Sequence, residues 1–587
     1  MMLPLLPPLP VVMPLTIAAL LLAFSHVLPR PVPDAVALFA TVMAGGVCLA
    51  MLGPALHAPL VYWFGGWVPR HGFPIGIGFY VDPPSAAMGV FIAVLFTAAL
   101  VFSWGYYDEV HAHFHVLMLL FLAGMIGFCL THDLFDMFVW FEVISVAAYA
   151  LTGYQLRVSA LEGAINFTIV NSIGSYLFLA GIGLVYIRIG ALDFSALEQG
   201  MRQATPDMVA RGGFVLVATG LLIKAAQVPF HFWLSDAHAV APSPVSVIFS
   251  GVMVALGMFG LAKLCWTVFL PAGELTQGVR HFLLGMGIVT VLLGGLMALS
   301  QRHLKRLLAF STISHTGMLL IGLASFRPQG LAGLFVYLVG HGLVKGALFM
   351  ISGILLATRG GIDELGLRGA GRPIWPAGLA MAAGGVLLAG LPFGLMGQGD
   401  DYISAPLRHS LGGIVPFAIV FGAACTAGAV LRAAGRIFLG LGPVAGEEER
   451  GPTDEEAEKA DRPLWLMLWP AVILLLLSLI VPNGANAFLT GLVRDWLPPE
   501  SANLTTGAPM LQKPPHDPAA WFGLPAALAL AAFDLMRHRL PAWFVGMVDK
   551  MKNPLLRYLQ AAHSGDVRDY VAWAAFGLAT FAVVWNI

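Results

Sequence analysis

Glu142, Lys224, Lys263, Lys305, His315, His341, Lys345, Asp400 and Asp401 all stand inside, or at the ends of, stretches that are otherwise apolar for the length of a bilayer span. A charge at bilayer depth costs roughly 2.5 to 3.5 kcal/mol on insertion scales, so such residues face a bundle interior or a wet cavity and mark ion or proton paths. Glu142, in LFDMFVWFEVISVAAYALTGY, has no basic residue within one helical turn. Lys224, in LLIKAAQVPFHFWLSDAHAVAPSPVS, is the natural opposite charge. A Glu–Lys pair whose separation changes shifts both proton affinities, and that is a means of loading and releasing a proton.

His341 and Lys345 lie four residues apart in LVGHGLVKGALFMISG and project from one helix face. Histidine titrates nearest neutrality and a buried lysine gives up its proton readily, which suits a relay. Lys305 and Arg306 stand at the mouth of their run, where they also orient the chain, and His315 lies one to two turns deeper. Lys263 lies toward the far end of its run, within snorkelling reach of the interface. Asp400 and Asp401 follow the helix-breaking Gly390 and Pro392, and one of them is a candidate exit. His231, Asp236 and His238 follow a second break at Pro229 and line a candidate access route. The alternating histidines of HAHFH at 111–115 are weak support for a metal; neither a metal nor a cofactor is expected. Cys48, Cys129, Cys265 and Cys425 lie far apart without CxxC or zinc and iron–sulfur spacing, so any redox centre would sit on another subunit. Catalytic triads, phosphate loops and dinucleotide fingerprints are absent, and a net charge of -1 makes no case for nucleic acid.

The elements that must position these side chains are membrane helices. The chain is 58% hydrophobic and 11% charged, where a soluble domain carries about 25% charged residues, so the expected class is an all-α polytopic membrane protein. Apolar runs long enough to span fall near 10–29, 35–53, 86–104, 115–131, 134–155, 164–187, 213–234, 240–268, 281–300, 305–325, 333–357, 374–395, 412–439, 463–482, 519–537 and 568–587, about sixteen helices. The first run lacks a basic n-region and a cleavage site and reads as a retained helix. Basic loops at 301–306, 358–372, Arg432/Arg436, 537–539 and 550–557 recur at alternate connections, which places them on the cytoplasmic side and both termini on the other.

The break after Lys224 and the break at Gly390–Pro392 lie five helices apart, which marks repeated units whose sites sit at unwound backbone. Five helices per unit, an odd number, forces successive units to be inverted. The expected organisation is N-terminal helices at 1–114, five-helix repeats at 115–268 and 281–439, an acidic loop at 440–462 and C-terminal helices at 463–587. Within the last, 541–563 reads as an amphipathic helix lying on the membrane or against a neighbouring subunit, and a short surface helix is expected near 486–497.

THDLFDMFVWFEVISVAAYALTGY, INFTIVNSIGSYLFLAGIGLVY, LLIKAAQVPFHFWLSDAHAVAPSPVS, HLKRLLAFSTISHTGMLLIGL and GHGLVKGALFMISG together resemble the antiporter-like subunits shared by respiratory complex I, membrane-bound hydrogenases and Mrp-type sodium/proton antiporters. The match covers roughly residues 100–440 and looks most like the Mrp D subunit, with a C-terminal tail similar to that of the complex I L-type subunit. The resemblance implies a fourteen-helix core with two inverted five-helix repeats. It puts the family's essential glutamate on Glu142, its broken-helix lysine on Lys224, its tenth-helix basic motif on Lys305, its eleventh-helix histidine and lysine on His341 and Lys345, and its twelfth-helix ionisable residue on Asp400. The family's eighth-helix lysine aligns with Ala255, leaving Lys263 about two turns away, and His132 and Asp136 stand where the D-type pattern has Gly and Asn.

The implied function is proton translocation along a Glu142–Lys224–(Lys263)–His341/Lys345–Asp400 axis in a bacterial inner membrane, in exchange for Na+ and together with other membrane subunits. Two alternatives stay open: a proton-pumping subunit of NADH:quinone oxidoreductase or a membrane-bound hydrogenase, and the membrane subunit of a bicarbonate-uptake assembly.

Overall fold

The computed structural model describes residues 5–29, 31–69, 76–107, 111–203, 207–271, 273, 275–408, 413–443, 464–480, 485–497, 511–563 and 565–585. The acidic stretch 446–462 lies outside the described residues. Among the described residues, twelve helices are long and apolar enough to cross a membrane, and two shorter apolar helices, Leu9–Phe24 and Leu464–Leu479, accompany them. The chain is thus an all-α multi-pass membrane protein.

In order, α1 (Leu9–Phe24) and α2 (Pro31–Ala55) lead to an antiparallel pair, β1 (Leu60–Trp63) and β2 (Gly78–Val81), with Leu60 opposite Val81. Then come α3 (Pro83–Tyr106), α4 (Ala112–Leu130), α5 (Leu134–Thr152), α6 (Val158–Ile189), α7 (Phe194–Gln203), α8 (Met208–Lys224), α9 (Phe232–Val240), α10 (Ser243–Ile248) and α11 (Val254–Leu264). The last two form one continuous helix, Ser243–Phe269, carrying π turns at Phe249–Met253 and Cys265–Phe269. The second half holds α12 (Gln277–Ser300), α13 (Leu304–Ala324), α14 (Pro328–Arg359), α15 (Trp375–Leu388), α16 (Leu395–Ser404) and α17 (Ile414–Ala434), and the tail holds α18 (Leu464–Leu479), α19 (Ala485–Arg494), α20 (Gly523–Met536), α21 (Ala542–Ala562) and α22 (Val567–Val584). The β pair and α7 are additions to the expected helices. The strands, LVYW and GFYV, are short and aromatic, and pairing across a loop leaves no periodicity in sequence.

Both interrupted helices sit where the prolines predict. After Lys224 the backbone turns through Ala226 at φ 50° and a cis Val228–Pro229 bond before restarting at Phe232. The groups freed by the break find partners: Trp233 Nε1 donates to Ile223 O at 2.9 Å, and Val228 N donates to Thr290 Oγ1 at 3.1 Å. The second break runs from Leu388 to Leu395 through Gly390, at φ 76°, and Pro392.

Local features recur at one constant interval along the chain. The 32-residue helices α6 and α14 each follow a positive-φ residue, Leu156 or Phe326, and each ends at a left-handed glycine, Gly190 or Gly360. Leu134 N bonds Leu192 O and Phe194 N bonds His132 O; at the same interval Leu304 N bonds Ile362 O and Glu364 N bonds Arg302 O. The π turn at Cys265–Phe269 is matched by one at Gly435–Leu439.

The Ser243–Phe269 helix, α13 and α14 form the buried centre, while α2 and α22 leave apolar side chains such as Phe39, Leu49, Phe576 and Val583 exposed, as a lipid-facing surface requires. Arg432 and Arg436 are buried: both pair with Glu364, and Arg432 also meets Asp534 of α20 at 2.9 Å, tying the tail to the core.

Candidate functional site

Glu142 lies midway along α5, and Ser175 Oγ on α6 donates to its carboxylate. Lys224, 2% exposed, ends α8, where its charge complements the carbonyl end of the helix. Its Nζ donates to Ser145 Oγ at 2.7 Å and lies 4.3 Å from the Phe141 ring centroid. Ser145 is three residues beyond Glu142 on the same face of α5, and its hydroxyl donates in turn to Phe141 O. The expected Glu142–Lys224 pair is therefore electrostatic at a distance, with Ser145 and the Phe141 ring as Lys224's immediate partners.

The second cluster forms where α9, α13 and α14 meet. Lys305 Nζ donates to Ala241 O at 2.8 Å, so it caps the end of α9. His238 stacks on Phe349 at 4.5 Å, and both of its ring nitrogens are buried without a partner. Lys345 Nζ donates to Leu308 O at 3.1 Å, and Thr312 Oγ1 donates to the same carbonyl at 2.9 Å. Thr312 shares a 2.6 Å hydrogen bond with Ser250, inside the first π turn, so a hydroxyl bridge links α13 to the helix that carries Ala255. Further along α13, His315 Nδ1 meets Tyr337 OH at 2.5 Å, His315 Nε2 meets Thr426 Oγ1 at 3.1 Å, and the His315 and His341 rings lie 5.1 Å apart.

The two aspartates separate. Asp401 accepts from His516 Nδ1 at 2.5 Å and from Asp517 N at 3.0 Å, both in the segment before α20. Asp400 turns toward the break, with Oδ2 2.8 Å from where a β-carbon on Gly390 would stand, and its Oδ1 has no hydrogen-bond partner among the described residues. A cavity of about 20 Å³, lined by Gly390, Asp400, Asp401 and Asp517, adjoins them. That is room for a water molecule.

Lys263 is not brought to the other charges. Fully buried rather than snorkelling, its Nζ donates to Cys129 O at 2.9 Å, Thr131 O at 2.7 Å and Ser85 Oγ at 3.3 Å, satisfying the carbonyl end of α4. Beside it His132 stacks on Tyr80 at 4.4 Å, and burial together with the Lys263 charge pushes its imidazole down to about 3. His231 is buried in the first break against His563, and Asp236 accepts from Tyr570 OH at 2.8 Å, so the C-terminal tail covers these two predicted access residues while His238 lies against Phe349.

Sequence reasoning misses Ser145, Ser175, Ser250, Thr312, Tyr337 and Thr426, the hydroxyls that stand among the charges. Only the i, i+3 spacing of Glu142 and Ser145 hints at one of them.

A family model described as NADH:quinone oxidoreductase/Mrp antiporter, TM, matches residues 131–412. NADH-quinone oxidoreductase subunit N of Desulforudis audaxviator (strain MP104C) is 33% identical over 300 residues, covering 50% of this chain and 58% of the relative. Putative antiporter subunit mnhD2 of Staphylococcus haemolyticus (strain JCSC1435) is 32% identical over 309 residues, covering 52% and 60%. The chain thus spans less than two thirds of the length of these curated relatives. Two solved structures share the fold, each with a TM-score of 0.71: an archaeal respiratory membrane complex, the membrane-bound sulfane sulfur reductase, at 23% identity over 84% of this chain and 96% of that one, and the Mrp complex from Dietzia sp. DQ12-45-1b, at 21% identity over 95% and 59%. Residues 131–412 thus form a membrane region similar to the antiporter-like subunits of NADH:quinone oxidoreductases and Mrp antiporters.

Proposed function

We propose that the chain is the proton-translocating subunit of a multisubunit cation/proton antiporter of the Mrp type, working among other membrane subunits in a bacterial inner membrane, with Na+ as the exchanged ion. One observation carries this reading: ionisable side chains run from the half-buried Glu142 and the buried Lys224 through His238, Lys345, His341 and His315, all buried, toward Asp400, between two broken helices, with hydroxyls beside several of them.

The units 115–268 and 281–439 are read as inverted repeats, a reading supported by the recurring caps, bridges and π turns. Each contributes one half-channel at its broken helix. A proton entering past His231 and His238 reaches Lys224, whose affinity for it depends on the charge state of Glu142. The crossing to Lys345 is assigned to the Ser250–Thr312 pair: the Thr312 hydroxyl, which donates to Leu308 O at rest, turns from that carbonyl to exchange a proton with the neighbouring Lys345 amine, since hydroxyls both donate and accept. His341, His315 and Tyr337 lead on to Asp400, where the small cavity supplies water for release. Neither Asp401, held by the tail, nor Lys263, held by carbonyls, is needed as a carrier.

The likeness to a subunit N and to a respiratory complex favours a second drive for the same path, in which redox subunits power the pump. Everted vesicles containing the whole assembly distinguish the two. Exchange of protons for Na+ without an electron donor, lost in Glu142→Ala and Lys224→Ala, supports the antiporter. Translocation only with a donor supports the redox pump, and translocation unchanged in both variants sinks the site.

A further inference from the structure

The C-terminal tail sits directly over the first helix break. His563, at the end of α21, packs its ring 4.9 Å from His231 and 4.6 Å from Phe232. Tyr570 of α22 stacks on Phe232 at 4.9 Å with nearly parallel planes, and donates to Asp236. Gly577 of the same helix lies against Pro229 and Phe230, closely enough that a β-carbon there would clash at 2.6 to 2.7 Å.

The protonation geometry of the two imidazoles is informative. His563 Nδ1 is 2.8 Å from Leu559 O, a carbonyl that can only accept, so Nδ1 carries the hydrogen and Nε2 is the free base. That Nε2 is buried without a partner among the described residues. His231 is 1% exposed, and beside the backbone of Pro229 its ring nitrogens have no hydrogen-bond partner among the described residues. Buried polar atoms are ordinarily paired, and water is the ordinary partner for nitrogens left open between two facing imidazoles. His563 is half-buried, and the neighbouring Gly565 and Arg568 are exposed, so the pair reaches from the surface into the break. The other titratable groups facing it are Asp236, Tyr570 and, from α13, Arg306.

We propose that His563 is the outermost proton carrier of the access route, contributed by the tail: Nε2 takes a proton from hydronium that enters beside the tail and passes it through a bridging water to His231, while Tyr570 positions the tail by its bond to Asp236. In this transfer only N–H and O–H bonds form and break, and the Nδ1–H stays on Leu559 O. The inference rests on the proton-translocation reading above.

The test uses the complete assembly in everted vesicles, with wild type, Lys224→Ala, His563→Ala and His563→Asn, and immunoblots of the subunit in the membrane. Expected is a fall of about tenfold in proton translocation per subunit for both His563 variants, with partial rescue of His563→Ala by added imidazole. A purely packing role for His563 gives no such rescue. Full-rate translocation by His563→Asn where Lys224→Ala is dead overturns the tail's role and leaves the transport reading standing. Full rate in Lys224→Ala overturns both.

Discussion

Lys345 and Thr312 donate to one and the same acceptor, the carbonyl oxygen of Leu308. Through Thr312 that carbonyl is tied to Ser250, so the lysine of the second half is two hydrogen-bonded groups away from the helix that belongs to the first. The hydroxyl bridge thus joins α13 to the Ser243–Phe269 helix, which also carries the buried Ala255.

Thr312→Val keeps the shape and removes the bridge. It is expected to slow proton translocation about tenfold without loss of subunit from the membrane. Ser250→Ala should do the same, and the double variant should be no slower than either single one, because members of one network are not additive. Additive losses in vesicle assays would show that the two hydroxyls act separately.

Gly390 is held at φ 76° with the Asp400 carboxylate where a β-carbon would go. Gly390→Ala should therefore cost about 1–3 kcal/mol of strain and displace Asp400, lowering both melting temperature and transport. Gly413 is a control: its φ is 86° but no described residue lies within 4 Å of a β-carbon there. Gly413→Ala should lower the melting temperature alone, and equal transport loss in both would place the effect in the backbone.

Much of this site is legible in sequence because charge stands out in an apolar run. Glu142, Lys224, His341, Lys345 and Asp400 are found that way, and the breaks announce themselves through Pro229, Gly390 and Pro392. What joins the charges is not legible. Serine and threonine occur throughout membrane helices, most bonding their own helix as Ser103 does to Leu100 O, and only the packing of α13 on the π turn decides that Thr312 meets Ser250. Lys263 shows the converse. Its position in an apolar run matches that of a carrier, but its surroundings, the carbonyl end of α4, exist only in three dimensions. The tail's contacts with the first break are equally invisible, since His563 and His231 are separated by most of the chain.

His303 caps α13 by accepting from Arg306 N at 3.3 Å, and burial with the neighbouring Lys305 and Arg306 charges pushes its imidazole down to about 3. The fold therefore favours the neutral ring. Its stabilisation is complete above about pH 6.5, the unfolded value, and is lost as pH falls below it, by at most about 1.4 kcal/mol per pH unit and less for a partly exposed ring. In His303→Asp, which keeps a capping oxygen, the drop in melting temperature between pH 7.5 and 5.5 in detergent should shrink. An unchanged drop would assign the acid sensitivity to other groups.

Lys224 and Lys263 are both buried lysines at helix ends, and their surroundings predict opposite phenotypes. Lys224 has a serine hydroxyl, an aromatic face and the field of Glu142 around it, a setting that changes with protonation. Lys263 is fixed by two carbonyls and Ser85. Removing its ammonium leaves those carbonyls buried without donors, at about 1–3 kcal/mol each. Lys263→Ala should accordingly lower the melting temperature by several degrees, while translocation per assembled subunit stays within about twofold of wild type. Lys224→Ala should abolish translocation with a smaller thermal effect, since no carbonyl depends on it. If Lys263→Ala instead abolished translocation at wild-type stability, the lysine would be a carrier, and the path would have to pass along the end of α4 rather than through Ser250 and Thr312.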